Sequence, residues 1–311
     1  MQTVLTTSPN VAAEFVKRGG IVAFPTETVY GLGANVFDEA AIKKIFAAKG
    51  RPSDNPLIAH VAEISQIQLL VSEITASAEK FIRAFFPAPL TLVLPKLGRV
   101  PLIATANLET IGVRMPRHEL AREFIKLCGV PLVAPSANLS GKPSTTTWEA
   151  VFEDLNGRVD CILQGEQTIV GLESTVVDCT KETPLVLRVG AVALETLQRV
   201  VPETRIYQSN KTETLPSPGL KYRHYSPQAR IVLIENADGI LSDDAAYIGL
   251  TAPERSFRLQ KICPNIENYA HEVFAFFRQS DAANIKTIYC QIVPENNLGL
   301  ALMDRLRRAA A

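Results

Sequence analysis

The sequence predicts an α/β protein of two domains: a larger domain built on a twisted mixed sheet with helices, followed by a small Rossmann-like domain. The length of 311 residues favours two domains over one. Short apolar, β-branched runs alternate with helical patterns but keep no strict strand–helix–strand rhythm, which favours a mixed sheet over an all-parallel one. Between Pro202 and Pro227 the periodicity is lost, and a linker is predicted there.

This change of texture divides the chain into three segments. Residues 1–203 form the larger domain, residues 204–229 the linker, and residues 230–311 the small domain, whose size is usual for a domain. The later part of the linker contains Leu220-Lys-Tyr-Arg-His-Tyr225. A purely structural linker seldom concentrates two tyrosines, an arginine and a histidine, so we expect this segment to contact a ligand or a domain face, as a lid over a site.

Composition and charge exclude several classes of protein. Apolar residues make up 47% of the chain, which fits a globular protein with a sizeable core. Lys+Arg and Asp+Glu are both 32, so there is no basic footprint for stable nucleic-acid binding. No apolar run approaches the ~20 residues needed to span a bilayer, and the start of the chain lacks the pattern of a signal peptide. Five scattered cysteines without a Cys-x-x-Cys pair predict structural thiols in a cytoplasmic protein and argue against a zinc site.

The stretch from residue 24 to residue 60 carries the densest set of polar side chains. An apolar strand ends at Pro25 and a hydroxyl-rich loop with two glycines follows, where backbone N–H groups can approach a ligand. A helix capped by Asp38 and ended by Gly50 comes next, so Lys49 and Arg51 leave its end side by side. Together these groups predict an anion site of the phosphate-binding kind. Beyond it, the helical spacing of apolar residues in 64–85 predicts a helix.

Several common catalytic and nucleotide-binding motifs are absent from the sequence. The chain has no Gly-x-x-x-x-Gly-Lys-Ser/Thr loop, no complete dinucleotide fingerprint, no Gly-x-Ser-x-Gly elbow and no His-Glu-x-x-His helix. Four polar clusters at strand ends remain: Thr26–Tyr30, Lys49–His60, Thr110–Arg114 with Ser136–Thr146, and Glu173–Thr175 with Arg188. No nucleophile is paired with a base, so catalysis by positioning and charge stabilisation, as in nucleotidyl or phosphoryl transfer, is the natural hypothesis.

Each cluster also has a purely structural interpretation. Lys49 is typical of a last helical turn, where a cation complements the helix dipole. The segment 136–141 is equally typical of a turn, and His60 of a structural histidine. Arg114 and Arg188 are compatible with surface ion pairs worth about 0–1 kcal/mol.

The motifs, taken in order, resemble those of the YrdC-type threonylcarbamoyl-AMP synthases. The matching elements are Pro-Thr-Glu-Thr-Val-Tyr-Gly-Leu-Gly at 25–33, Lys49-x-Arg51 with Asn55-Pro-Leu, Pro-Leu-Thr-Leu-Val-Leu at 89–94, Gly-Val-Arg-Met-Pro at 112–116, Ala-Pro-Ser-Ala-Asn-x-Ser-Gly at 134–141 and Glu-Ser-Thr-Val-Val-Asp at 173–178. They span roughly residues 8–200, and the remainder resembles the long, two-domain form of the family. Ala88 stands where the family commonly has glycine, and Leu220 where it commonly has methionine.

The resemblance implies a fold and a reaction. The fold would be a YrdC-like mixed sheet followed by a linker and a Rossmann-like domain. The reaction would convert L-threonine, bicarbonate or CO2, and ATP into L-threonylcarbamoyl-AMP and pyrophosphate. The product would feed threonylcarbamoyladenosine modification of tRNA beside the anticodon through downstream transfer proteins. Mg²⁺ would be carried by the ATP phosphates and not by protein side chains.

The resemblance also implies roles for individual residues. L-threonine and its carboxylated adduct would be held by Thr28, His60, Arg114, Ser136 and Ser174. ATP would be held by Arg51, Asn55, Thr110, Asn138, Thr146, Arg188 and Tyr225. Lys49 and Arg51 are the catalytic candidates, since two cations can balance phosphate charge as pyrophosphate leaves.

Two other hypotheses remain open on the sequence. An RNA-binding or ribosome-associated module would need a basic face with interleaved aromatics, and the balanced charge and 7% aromatic content argue against it. A carbamoyl-transfer accessory domain would bind nucleotide without forming an adenylate, and absence of pyrophosphate release would identify it.

Overall fold

The computed structural model describes residues 2–208, 225–238 and 244–311. The predicted lid therefore lies largely outside the described residues, which include only its two ends. Within the described ranges, no helix combines the length and apolarity that a membrane span requires.

The larger domain contains eleven strands in one mixed sheet, as predicted. The strands are β1 (Val4–Thr6), β2 (Val22–Phe24), β3 (Gly31–Asn35), β4 (Ile58–His60), β5 (Leu90–Pro95), β6 (Thr110–Arg114), β7 (Leu132–Val133), β8 (Cys161–Leu163), β9 (Thr175–Asp178), β10 (Leu185–Arg188) and β11 (Arg205–Ile206). Their order is β1-β8-β2-β3-β7-β4-β6-β5-β9-β10-β11. Parallel pairs such as β4 with β6 alternate with antiparallel pairs such as β4 with β7. Because β11 pairs with β10, this sheet continues into the segment predicted as linker.

Helices cover both faces of this sheet. They are α1 (Pro9–Lys17), α2 (Glu39–Lys49), α3 (Ala76–Phe85), α4 (Glu119–Cys128), α5 (Trp148–Leu155) and α6 (Leu194–Gln198). Successive strand residues point to opposite faces, so Ala23 joins the core built with α2, whereas Val22 and Phe24 join the core built with α1 and α4. Burial on both faces explains why the central strands are continuously apolar.

The prediction of one helix over residues 64–85 is wrong for the first half of this range. Residues Ile64–Leu69 form a 3₁₀ helix, and α3 begins only at Ala76. Val71 bridges to Lys96 beside the sheet, and the hydroxyl of Thr75 accepts a hydrogen bond from the backbone N–H of Ala78, which starts a new helix. The bridge at Val71 and the helix cap at Thr75 therefore interrupt the continuous helix that the apolar spacing predicted.

The second domain is a Rossmann-like layer of parallel strands, as predicted. Its elements are β12 (Arg230–Ile234), β13 (Ala245–Gly249), β14 (Leu259–Ile262), α7 (Ile266–Ala282), β15 (Thr287–Gln291) and α8 (Leu298–Ala310). The strand order is β12-β15-β13-β14, and each neighbouring pair is parallel. The strand β14 was not predicted from the sequence.

The two domains share an apolar cluster. Val29 and Leu172 of the larger domain pack with Phe274 and other residues of α7 and α8. Gly171 has a φ of +79°, and a Cβ there would lie 2.5 Å from the Cα of His271. The backbone at residue 171 can therefore approach α7 this closely only because the residue is glycine. The second domain is thereby held against one end of the large sheet.

Candidate functional site

A cleft opens at strand ends of the large sheet, and its lining is rich in hydroxyls and cations. Its polar lining consists of Thr26, Thr28, Tyr30, Arg51, His60, Arg114, Ser136, Asn138, Lys142, Ser144, Glu173, Ser174, Arg188 and Tyr225. Backbone hydrogen bonds tie the walls together, since Tyr30 donates its N–H to Thr145 and accepts from that of Ala137. The loop after β2 and the loop after β7 are therefore fixed as one unit.

The cleft brings together nine of the thirteen residues predicted for the site. They are Thr28, Arg51, His60, Arg114, Ser136, Asn138, Ser174, Arg188 and Tyr225. The four predicted residues that do not line it are Lys49, Asn55, Thr110 and Thr146.

Arg114 lies at the end of β6 in a pair of charges that are both buried. Its Nη2 atom is 2.7 Å from Oε2 of Glu27, and both side chains are 5% exposed. Nη1 donates to the hydroxyl of Thr28 at 2.9 Å. Nε and Nη2 of Arg114, and both Glu27 oxygens, make no well-directed hydrogen bond with the described residues. Arg114 lines the cleft and the described residues do not saturate its donors, so a planar carboxylate bound there can accept from the guanidinium.

His60 lies beside Arg114 because β4 and β6 pair in register at these two residues. Burial, and next the charge of Arg114, lower the pKa of His60 to about 3, against the opposing effect of its bond to the Ile58 carbonyl. Nδ1 is 3.1 Å from that carbonyl, which can only accept, so we assign the proton to Nδ1. His60 is therefore a neutral ring whose Nε2 is left as an acceptor.

Ser174 and Arg188 form a second contact in the cleft wall. Nε and Nη2 of Arg188 donate to the Ser174 carbonyl at 3.1 and 2.9 Å, and Nη2 also reaches its hydroxyl at 3.1 Å. The hydroxyl of Thr91 lies 2.8 Å from that of Ser174. Burial is the main cause that lowers the pKa of Arg188 below its ordinary value.

Arg51 follows α2 and reaches the cleft beside Pro56. Its Nη2 atom donates to the carbonyls of Asn55 and Pro56 at 3.3 and 3.4 Å. Burial lowers the pKa of Arg51 to about 10, so the side chain remains a cation at neutral pH. Nε is buried without a hydrogen-bond partner among the described residues.

Lys49 was predicted as a site residue, but it does not line the cleft. Only 3% of the residue is exposed, and Nζ donates to the carbonyls of Ser136 and Asn138 at 2.6 and 2.5 Å. Burial, followed by the charge of Arg51, lowers the pKa of Lys49 well below its ordinary value. The residue lies beneath the loop after β7 and joins it to α2.

Three further predicted residues lie behind or beside the lining. Asn55 is 2% exposed, and its Nδ2 atom has no partner among the described residues. Thr146 is 1% exposed, and its carbonyl accepts from Thr168. Thr110 borders a separate small groove that shares Pro56 with the cleft.

Sequence reasoning did not single out Lys142 and Ser144, although both fall inside the predicted cluster 136–146. The hydroxyl of Ser144 donates to Glu173 at 2.7 Å, and Lys142 donates to Asp154 at 2.9 Å. Their place in a turn-like segment was the available signal. Arg305, which also contacts Glu173, carries no local signal at all because it lies 132 residues away in α8.

The chemistry of the cleft suits anionic, polar ligands. Arg51, Arg114 and Arg188 line it, and Nε of Arg51 and Nε of Arg114 make no hydrogen bond with the described residues. Glu173 is the acidic side chain in the lining, and it is already engaged by Ser144 and Arg305. Within the described chain, no three His, Cys, Asp or Glu side chains are grouped as metal ligands. The site can thus bind a carboxylate and phosphates by positioned cations and hydroxyls.

Comparison with known proteins matches the whole chain. A family model of Sua5, YciO and YrdC proteins, described as "Telomere recombination", matches residues 14–190. A second, described as "Threonylcarbamoyl-AMP synthase, C-terminal domain", matches residues 192–311.

Individual relatives match over nearly their full lengths. The threonylcarbamoyl-AMP synthase of Pyrococcus abyssi is 42% identical over 317 residues, covering 96% of this chain and 93% of the relative. That of Bacillus subtilis is 39% identical over 325 residues, covering 98% and 94%. The crystal structure of P. abyssi Sua5 complexed with L-threonine superposes with a TM-score of 0.90 at 40% identity, covering 99% of this chain and 97% of that one.

Proposed function

Because the chain belongs to the Sua5/YrdC family of threonylcarbamoyl-AMP synthases, we propose that its cleft converts L-threonine, bicarbonate and ATP into L-threonylcarbamoyl-AMP and pyrophosphate. The observation that carries this proposal is Arg114. Its buried guanidinium lines a hydroxyl-rich cleft beside other arginines, and the described residues do not saturate its donors. Such a cation selects a carboxylate, and the neighbouring cations suit a polyphosphate.

The threonine end consists of Thr28, His60, Arg114, Ser136 and Ser174. Arg114 clamps the α-carboxylate, and the neutral Nε2 of His60 accepts a hydrogen bond from the amine or hydroxyl of threonine. A site built to hydrogen-bond a hydroxyl discriminates strongly against analogues that lack one. A relative crystallised with L-threonine supports this choice of amino acid.

The nucleotide end consists of Arg51, Asn55, Asn138, Arg188 and Tyr225, and we keep Thr110 and Thr146 as residues that act from beside it. Bicarbonate takes up a proton and loses water to give CO2. The amine of threonine then adds to the CO2 carbon, which forms the carbamate and gives the proton back. A carbamate oxygen then attacks the α-phosphorus of ATP, and the bond from that phosphorus to the pyrophosphate breaks. Arg51 balances the charge of the leaving pyrophosphate.

Lys49 supports the reaction from beneath the loop after β7. Its bonds to the carbonyls of Ser136 and Asn138 link a residue of the threonine end to one of the nucleotide end. We therefore propose for Lys49 a positioning role, in place of the catalytic role expected from its sequence context.

Mg²⁺ enters as part of the substrate MgATP. The acidic side chain that lines the cleft within the described residues, Glu173, is already bonded to Ser144 and Arg305, so the lining does not fit a resident metal site. Phosphate oxygens and water are the ligands that Mg²⁺ ordinarily keeps in such sites.

The remaining expectations concern the surroundings of the site. We propose that residues 204–229 act as a linker and lid between domains 1–203 and 230–311; support comes from Tyr225, which lines the cleft and stacks on Phe274 of α7. We also propose a cytoplasmic enzyme whose product passes to downstream tRNA threonylcarbamoyl-transfer proteins. Stable binding of nucleic acid or membrane is not expected.

Pyrophosphate release tests the proposal. Wild type should release pyrophosphate from ATP only when L-threonine and bicarbonate are both supplied, and Arg51→Ala should abolish most of this release. Release that is independent of threonine would indicate a different acceptor. Bound ATP without any release would support the accessory-domain hypothesis and contradict synthesis.

A further inference from the structure

Arg305 is a buried cation of the second domain that reaches into the first. It lies on α8 with 1% of its surface exposed. Its Nε atom donates to Oε2 of Glu173 at 2.8 Å, and Nη2 donates to the carbonyl of Val189 at 3.0 Å. Its guanidinium carbon also lies 5.2 Å from the centre of the Tyr225 ring. One side chain of the second domain thus joins three segments of the cleft wall.

The partners of Arg305 are sequence neighbours of two site residues. Glu173 precedes Ser174, and Val189 follows Arg188. Ser174 and Arg188 themselves contact each other through three hydrogen bonds. Holding both neighbours in place therefore fixes the contact between Ser174 and Arg188.

Glu173 adds a buried negative charge to this arrangement. Burial alone would raise the pKa of Glu173, but Arg305, Arg188 and the hydrogen bonds from Arg305 and Ser144 together lower it. The carboxylate is therefore ionised in the cleft wall. Without Arg305, the neighbouring cation that could neutralise it is Arg188, and pairing with Glu173 would turn Arg188 away from a bound anion.

We propose that Arg305 is a positioning residue of the synthase: it neutralises Glu173 and fixes Val189, so that Arg188 stays available to the nucleotide. This inference rests on the proposed function, in which Arg188 binds ATP. It gives the second domain a direct part in substrate binding, independent of the lid.

Substrate binding by matched variants separates this role from mere stability. Arg305→Met should raise the KM for ATP about tenfold or more while changing kcat much less, since ATP binding is weakened and the chemistry is retained. The double variant Glu173→Gln with Arg305→Met should recover most of the affinity, because the Glu173 carboxylate no longer competes for Arg188. Arg307→Met, on the same helix but in an exposed pair with Glu295, is the control and should keep the wild-type KM.

A second substitution at the same position keeps the proposal testable if Arg305→Met fails to fold. Arg305→Lys keeps the charge but cannot reach Glu173 and Val189 together, so its KM for ATP should lie between those of wild type and Arg305→Met. A folded Arg305→Lys or Arg305→Met with unchanged KM would overturn the proposal, and so would a folded double variant no better than the single one.

Direct binding of a non-hydrolysable ATP analogue by calorimetry keeps the two proposals apart. If wild type bound the analogue but released no pyrophosphate, the proposed function would fail. A weaker affinity in Arg305→Met than in Arg307→Met would still support the positioning role.

Discussion

The carboxylate of Glu27 lies 2.7 Å from the guanidinium of Arg114, and each of the two side chains is only 5% exposed. The two residues come from the loop after β2 and the end of β6, so the pair joins separate parts of the sheet. The contact is not a well-directed hydrogen bond, and Arg114 also lines the cleft. Glu27 therefore acts as a resident counter-charge that does not saturate the arginine.

Removing this counter-charge should destabilise the protein. Glu27→Gln leaves Arg114 buried without its partner, so the free energy of unfolding should fall by about 3 kcal/mol. L-threonine should then stabilise the variant more than wild type, because its carboxylate supplies the missing charge. Urea unfolding with and without threonine measures both effects. Glu63→Gln, whose pair with Lys126 is exposed on both sides, should change stability by about 0.5 kcal/mol or less.

The fork geometry of Arg114 should matter more than its charge. Arg114→Lys keeps a cation but loses the planar pair of donors, so the KM for L-threonine should rise about tenfold or more while the KM for ATP changes much less. Steady-state pyrophosphate release at varied threonine measures this. Arg117→Lys, exposed three residues further along, should behave as wild type. Equal effects on both substrates would contradict a threonine-specific role.

Lys49 should behave as a positioning residue. Lys49→Met removes the donor from the carbonyls of Ser136 and Asn138, so the free energy of unfolding should fall by about 2 kcal/mol. KM values should rise more than kcat falls. Lys44→Met, on the same helix with one exposed bond to the Gly19 carbonyl, is the matched control. A large loss of kcat with unchanged KM would restore the catalytic role.

His60 should make the protein sensitive to acid. Its folded-state pKa is about 3 against an ordinary value of 6.5, so between these values the unfolded chain binds one more proton. This contribution to stability is complete above pH 6.5 and is lost as the pH falls towards 3, at up to about 1.4 kcal/mol per pH unit. His60→Asn keeps a donor for the Ile58 carbonyl but cannot titrate. The stability of wild type relative to this variant should therefore decline with falling pH, and a constant difference would contradict the assignment.

Residues at strand ends were predictable from the sequence, because apolar runs locate the strands and the polar residues stand at either end of these runs. His60, Arg114 and Ser174 are examples, and all three line the cleft. Lys49 shows the limit of this reasoning: the helix end was predicted correctly, but the direction of its side chain depends on the loop 87 residues away that it contacts.

Contacts between domains were not predictable in this way. Arg278 donates to Asp154 at 2.8 Å and Arg305 to Glu173 at 2.8 Å, across 124 and 132 residues of sequence. In a helix, each of these arginines has the same local pattern as a solvated surface cation. The docking of α7 and α8 decides their burial, and a single sequence contains no periodicity that reports it.

The product itself tests the central claim most directly. ATP, L-threonine and bicarbonate carrying a heavy carbon isotope should give, by mass spectrometry, an adduct of AMP that contains threonine and retains the label in its carbamoyl carbon. Pyrophosphate should appear in equal amount. An AMP adduct of threonine without the label, or pyrophosphate release without any threonine-containing adduct, would contradict the synthesis of threonylcarbamoyl-AMP by this cleft.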